Sequence, residues 1–219
     1  MKIMETCARL LNPFLDELSD EFYLQMLLRH VEKCGRICYL SEPKDPEGST
    51  ENFVRMLIKN GHESPLEHGS CTFKIVTDRA ISQEIVRHRL ASYSQESTRY
   101  CNYANGKFAR GITVIESSGL AENEAREWLD AMEHLERTYL QMVDSGVKPE
   151  KARDVLPLCL KTELMMTANF REWRHFLKLR GSRMAHPEIR KLARQIYEVF
   201  QQAIPVLVED IEIFHDDAE

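Results

Sequence analysis

No stretch of this chain approaches the about 18 consecutive apolar residues that a membrane-spanning helix needs, so no membrane association is expected. The first residues, MKIMETCARLLNPF, lack the long apolar core of a secretion signal. Positive charge is not in excess either, because the net charge is −6. A general binder of nucleic acid should be basic, and nucleic acid is therefore not expected as a partner. No glycine-rich loop follows a strand-like run, which argues against a Rossmann fold. The G-x-S-x-G and HExxH patterns are also missing, which removes the usual sequence support for a hydrolase elbow or a helical zinc site.

Cysteine occurs at Cys7, Cys34, Cys38, Cys71, Cys101 and Cys159. In 219 residues these six do not resemble a disulfide framework, so a reducing cytoplasm is the expected location. Cys34 and Cys38 stand about one helical turn apart. A metal pair would fit that spacing, but unpaired buried thiols are the preferred reading.

What is present is an ordinary globular composition, 43% hydrophobic and 29% charged, sufficient for a substantial core. Apolar periodicity predicts helices over Glu21–Lys33, from Glu51 to a stop at Gly61, and over Arg79–Arg89 behind an Asp78 cap. A stripe of Ala125, Trp128, Leu129, Met132, Leu135, Tyr139 and Met142 predicts a core-facing helix ending at Gly146. Phe170–Arg180 and a stretch opened by Pro187 predict two more, the last burying Ile189, Leu192, Ile196 and Phe200. Ser70–Thr77, Ile112–Glu116 and Thr162–Asn169 predict strands, and Ser41–Asn52 a loop. Without a strict βαβ rhythm, the mixture predicts a compact α+β domain, one domain spanning residues 1–219.

The segment VRHRLASYSQESTRY sets Arg87, His88, Arg89 and Arg99 among Ser92, Tyr93, Ser94, Ser97 and Thr98. Clustered arginines repel one another unless an anion sits between them, and their planar forks suit phosphate or carboxylate. On a helix over Arg79–Arg89, Glu84, Arg87 and His88 share one face and a serine-rich loop follows. A solvated helix end is the alternative, weakened by the number of fixed donors.

Two further constellations stand out. NGHESPLEH gathers His62, Glu63, Ser64, Glu67 and His68. It reads as a capped loop or the wall of a ligand site, and no metal is expected because Pro65 interrupts any helix. ARDVLP sets Arg153 in a segment that otherwise looks buried, which demands an anionic partner. Arg171, Arg174 and Arg180 decorate one helix, with surface pairing to Glu163 or Glu172 as the alternative for Arg174. Two rival classes follow from these residues. One is a nucleotide- or RNA-binding module without catalysis. The other is a hydrolase built on Ser97 with His88, or on His62 and His68.

Arg87-His88-Arg89, seven residues, then Ser97 resembles the signature of flavin-dependent thymidylate synthases. GHESPLEH, ARDVLP, NFREWRHFLKLR and AHPEI resemble further segments of that family in order and spacing, from about Gly61 to Ile189. The resemblance implies a small, mostly antiparallel sheet flanked by long helices. It implies reductive methylation of dUMP to dTMP, with methylenetetrahydrofolate as carbon donor and NADPH-reduced FAD as hydride donor. By position it assigns Ser64, Arg87, His88, Arg89, Gln95, Asn169, Arg171 and His175 to FAD. Glu84, Arg87, Gln95, Glu96, Ser97, Thr98, Arg99, Arg153 and Arg180 fall to dUMP, and His62 to the folate entrance. Arg180 and Ser97 carry the catalytic assignments, Arg180 by stabilising the anionic uracil and Ser97 by holding or polarising the nucleotide. The resemblance also implies a homotetramer with shared active sites.

Ser94, His175 and His186 depart from the common pattern, where Asn, Asn and Gln are frequent. All three still hydrogen-bond. Glu96 beside a phosphate is expected to turn its side chain away and offer its amide.

Overall fold

Ser19 starts the first long helix by accepting a hydrogen bond from Phe22 N at 3.2 Å on its hydroxyl. In the computed structural model, which describes residues 1–14, 18–42, 48–105, 110–117 and 119–214, this helix α1 runs Asp20–Tyr39. It passes the expected stop at Lys33 because Gly35 belongs inside it. A Cβ there would lie 2.8 Å from the Phe53 ring, so the glycine serves close packing. Helix α2 is Ser49–Lys59, and the expected loop over Ser41–Asn52 is therefore helical from Ser49. Residues 43–47 of that loop lie outside the described residues. Val54 and Leu57 form the buried ridge of α2, with Phe53 and Met56 half-buried.

A 3-10 turn, Ser64–His68, leads into strand β3, Ser70–Asp78, whose Cys71, Phe73 and Ile75 are buried in alternation. Asp78 then caps helix α3 at Ile81 N, at 2.6 Å. That helix is Arg79–Ile85, shorter than expected, so the shared face of Glu84, Arg87 and His88 does not form. The chain leaves the helix because His88 has better partners elsewhere. Its carbonyl accepts from the Tyr93 hydroxyl at 2.7 Å and its ring is buried. The expected serine-rich loop is strand β4, Ala91–Gln95, with Ser92 and Ser94 exposed between half-buried neighbours. Edge strands tolerate such polarity.

Strand β5 is Thr113–Ile115, α4 is Glu122–Asp144 and α5 is Pro149–Ala152, followed by a 3-10 turn at Arg153–Val155. Strand β6, Lys161–Asn169, alternates buried Thr162, Leu164, Met166 and Ala168 with half-buried residues. Helices α6, Phe170–Arg180, and α7, Pro187–Ala203, complete the fold. Asn169 caps α6 through Glu172 N at 2.9 Å, and His186 caps α7 through Glu188 N at 3.2 Å.

Two N-terminal strands, β1 at Lys2–Met4 and β2 at Cys7–Leu11, carry no clear sequence signal. β1 pairs in parallel with β5, and the other strands form a sheet in the order β2-β3-β6-β4. β3 and β6 run antiparallel, since Phe170 N donates to Gly69 O at 2.8 Å while Arg79 N donates to Leu160 O at 3.1 Å. The α+β class with a small, mostly antiparallel sheet is borne out.

The residues pack as two units that interleave along the sequence. The first comprises Met1–Thr6, Val76–Arg87 and Ser94–Leu164. Its core gathers Tyr103, Ile112, Val114, Met132, Tyr139 and Leu160, with Trp128, Leu135 and Met142 of the expected α4 stripe packed against it. Ala125 is exposed. The second unit comprises Cys7–Ile75, His88–Tyr93 and Met165–Glu219. Its core is aromatic: the Phe73 ring meets Trp173 at 5.0 Å and Phe200 at 5.6 Å, edge to face. Truncating such a fully buried ring costs about 3–5 kcal/mol.

Candidate active site

In the first unit, the turn after β4 brings Ser97, Thr98, Arg99 and Arg153 of the expected nucleotide residues together. Arg153 is exposed, not buried as its neighbours suggested. It sits at the first residue of the 3-10 turn that follows α5, where water solvates it, and its Nη1 reaches Thr98 Oγ1 at 3.4 Å. Glu150, three residues before it, lies 3.7 Å from Arg99. Two arginines distant in sequence thereby meet at one turn, Ser97–Arg99, while facing solvent. The Ser97 hydroxyl accepts from Arg99 N at 3.3 Å. Among the described residues of this unit no histidine bonds it, so it has no base of a hydrolase triad there.

Glu96 behaves in part as expected. Its carboxylate turns to the Tyr103 hydroxyl at 2.8 Å and to Lys161 at 3.1 Å. Its amide, however, donates to Glu163 O at 2.8 Å, so the expected amide contact to a ligand is already spent on the sheet. Burial, with Glu96 close by, pushes the Tyr103 hydroxyl far up. Burial disfavours the charge on Lys161, yet the carboxylates of Glu163 and Glu96 outweigh it and raise its pKa. The Gln95 amide nitrogen donates to Ser82 at 3.0 Å and Thr162 at 3.2 Å, which locks the side chain. Glu84 is half-buried near the end of α3. Arg87 is exposed and has no carboxylate partner among the described residues.

In the second unit, the first turns of α6 face His88. Glu172 accepts from His88 Nδ1 at 2.9 Å, with both residues buried. Arg180, from the last turn of α6, donates through Nε to His88 Nε2 at 3.2 Å. Burial holds His88 below the ordinary histidine range, and Arg180 adds to this against the pull of Glu172. A neutral ring protonated on Nδ1 satisfies both contacts. The His88 ring packs 4.9 Å from Phe176 and 5.4 Å from His175, which is exposed.

Ser64 is exposed in its 3-10 turn, and His62 hydrogen-bonds through Nδ1 to the Tyr39 hydroxyl. Arg171 is paired with Glu67 at 2.6 Å and lies 3.5 Å from Glu63. Arg89 is exposed without a carboxylate partner among the described residues. Asn169 accepts the α6 cap bond on its side-chain oxygen, which fixes its amide group. Arg174, for which surface pairing with Glu163 or Glu172 was the alternative, is 2% exposed. It is held instead by Asp210 through two contacts of 2.7 Å, which lowers the Asp210 pKa. A concavity of about 940 Å3 in this unit, lined by residues including Arg29, Glu32, Arg36 and Ser49, holds none of the expected site residues.

Sequence reasoning missed Glu172 as the partner of His88, and Glu150, Lys161 and Tyr103 as supports. Their sequence separations, 84 residues for the first pair, leave no local pattern to find. Among the described residues, no helix is long and apolar enough to cross a membrane.

A family model described as "Thymidylate synthase complementing protein" matches residues 23–206. A flavin-dependent thymidylate synthase of Geobacter sulfurreducens is 36% identical over 188 residues, covering 82% of this chain and 80% of that one. A probable flavin-dependent thymidylate synthase of Mycobacterium phage D29 is 33% identical, covering 90% and 88%. The crystal structure of the UMP/dUMP methylase PolB from Streptomyces cacaoi, bound with 5-Br dUMP, superposes with a TM-score of 0.76. It is 26% identical and covers 95% of this chain and 96% of that one. By this family match and these relatives, the chain belongs to the flavin-dependent thymidylate synthases and is an enzyme of that family.

Proposed function

We propose that this enzyme converts dUMP to dTMP, taking the carbon from methylenetetrahydrofolate and reducing equivalents from NADPH through FAD. The observation that carries the reading is the meeting of Arg99 and Arg153 at the Ser97–Arg99 turn, two exposed cations beside hydroxyls. That is donor chemistry for a phosphate monoester. A structural relative bound with a dUMP analogue supports the same substrate.

In this reading Arg99 and Arg153 hold the nucleotide phosphate and so orient the base. Ser97 and Thr98 add hydroxyl donors, Gln95 presents its locked amide, and Glu84, Arg87 and Glu96 line the same nucleotide site. Arg180, oriented by His88, stabilises the anionic form of uracil and increases electron density at carbon 5. Removing a fixed donor of this kind costs about 3–4 kcal/mol in well-studied sites.

FAD suits the donors assigned to it. Arg87 and Arg89 are exposed cations without carboxylate partners among the described residues, and Ser64 and His175 are exposed hydrogen-bonding groups. This set matches a ligand with a pyrophosphate and a polar ring edge. Gln95, Asn169 and Arg171 complete it, with His88 as a buried support, and His62 stands at the folate entrance. When bound, the flavin supplies the hydride that completes the methyl group. The remaining parts of the proposal are a homotetramer with shared sites, a cytoplasmic location and one functional domain over residues 1–219.

The test is optical. Purified protein should be yellow or become so with FAD, and dUMP should perturb the flavin bands. Reduced enzyme should form dTMP only when methylenetetrahydrofolate is present. Protein that ignores added FAD in titration calorimetry would overturn the reading.

A further inference from the structure

Helix α1 and the 3-10 turn at Ser64–His68 bring together three metal-binding side chains that the reaction does not use. His30 and Cys34 are one helical turn apart on α1, and His68 ends the 3-10 turn. One donor atom from each lies within 4.8 Å of the other two. His30 Nε2 stands 3.7 Å from Cys34 Sγ. A tetrahedral zinc ion, with bonds of about 2.3 Å to sulfur and about 2.0–2.1 Å to nitrogen, separates two such ligands by about 3.6 Å. The helical pair is thus already at ligand spacing. The His68 ring meets His30 edge-on at 6.3 Å between centroids, so a small rotamer change completes the set.

We infer that His30, Cys34 and His68 form a binding site for one divalent cation of the zinc class. The donor chemistry selects the cation. One thiolate and two imidazoles suit zinc and its borderline-soft neighbours and disfavour magnesium and calcium, which take oxygen ligands. His30 and His68 are exposed and Cys34 is half-buried. The fourth position is open to water, and an ion has a path in. Among the described residues, no lysine, arginine or carboxylate forms an ion pair with any of the three. Neither sequence pattern considered for metal, Cys34 with Cys38 or His62 with His68, contains this combination. The fold takes one residue from each, Cys34 and His68, and adds His30. A bound ion would clip α1 to the turn that carries Ser64.

The experiment uses the full chain, stripped with a chelator and titrated with Co2+ and then Zn2+. One Co2+ per chain should bind with a thiolate charge-transfer band and tetrahedral d–d bands, and Zn2+ should displace it. Cys34→Ser should abolish the charge-transfer band. His30→Ala and His68→Ala should each weaken Zn2+ binding by more than about 100-fold, beyond the effect of losing a supporting residue. Circular dichroism should be unchanged, since both histidines are exposed. Cys38→Ser should bind like the unaltered protein. Absence of a thiolate band, full affinity in His68→Ala or in a more conservative His68→Gln, or an equal loss in Cys38→Ser would each overturn the site.

Discussion

The Nε–H of Arg180 points at Nε2 of His88, 3.2 Å away, and the far nitrogen of the same ring meets buried Glu172 at 2.9 Å. Glu172 thereby dictates which ring nitrogen carries the proton, and the other becomes an acceptor that orients Arg180. The arginine proposed to face uracil is thus oriented, through His88, by a buried carboxylate.

Glu172→Ala should release the tautomer and the Arg180 orientation together. Single-turnover methylation at saturating dUMP and folate should slow by about 10–100-fold, the cost of a misplaced catalytic group. Glu172→Gln keeps an acceptor oxygen and should recover much of the rate. Equal rates in both variants would show that the acceptor does not matter.

The depressed pKa of His88 gives a signed pH dependence. The folded protein binds fewer protons at this ring than the unfolded chain does. Its contribution to stability is complete above the unfolded histidine value of about 6.5 and is lost as pH falls from there toward the folded value. Melting temperature should drop as pH falls below about 6.5, and less so in His88→Gln. A steeper acid loss in that variant would contradict the assignment.

Binding and activation should separate by residue. Arg153→Ala should weaken dUMP binding by about 1.5–3 kcal/mol, as for a lost charged hydrogen bond. Arg180→Ala should chiefly slow methylation of bound nucleotide, seen in single turnovers. Ser97→Ala should retain some turnover if Ser97 only positions the nucleotide, as proposed. Complete loss with intact binding would make it the nucleophile.

Asp210→Ala should leave the buried Arg174 charge without its bidentate partner. The carboxylate is partly open to solvent, so water replaces some of the contact. A loss of about 2–3 kcal/mol is expected in denaturant unfolding.

Shared sites are tested by complementation. Arg87→Ala and Arg180→Ala should each be nearly inactive, while a mixture of exchanged subunits regains part of the activity. Sedimentation should first show a tetramer. A fully active monomer would end the shared-site proposal.

Much of the secondary structure was legible because burial has a period. Cys71, Phe73 and Ile75 alternate as a strand, and Ile189, Leu192, Ile196 and Phe200 recur as a helix. The family and its arginine pattern were legible too, since spacing survives where individual contacts change. Other features needed the tertiary structure. A polar run such as Ser92–Tyr93–Ser94 reads as a loop until β6 supplies its ladder. His88 reads as part of a helix until Glu172, 84 residues away, draws its ring into the core. Arg153 reads as buried and the fold exposes it, while Arg174, open between a surface pair and another anionic partner, is buried against Asp210. Local sequence records the intrinsic geometry of the backbone and the alternation of apolar faces. A charged or polar side chain takes its environment from partners distant in the chain, and only folding brings those partners within hydrogen-bonding distance.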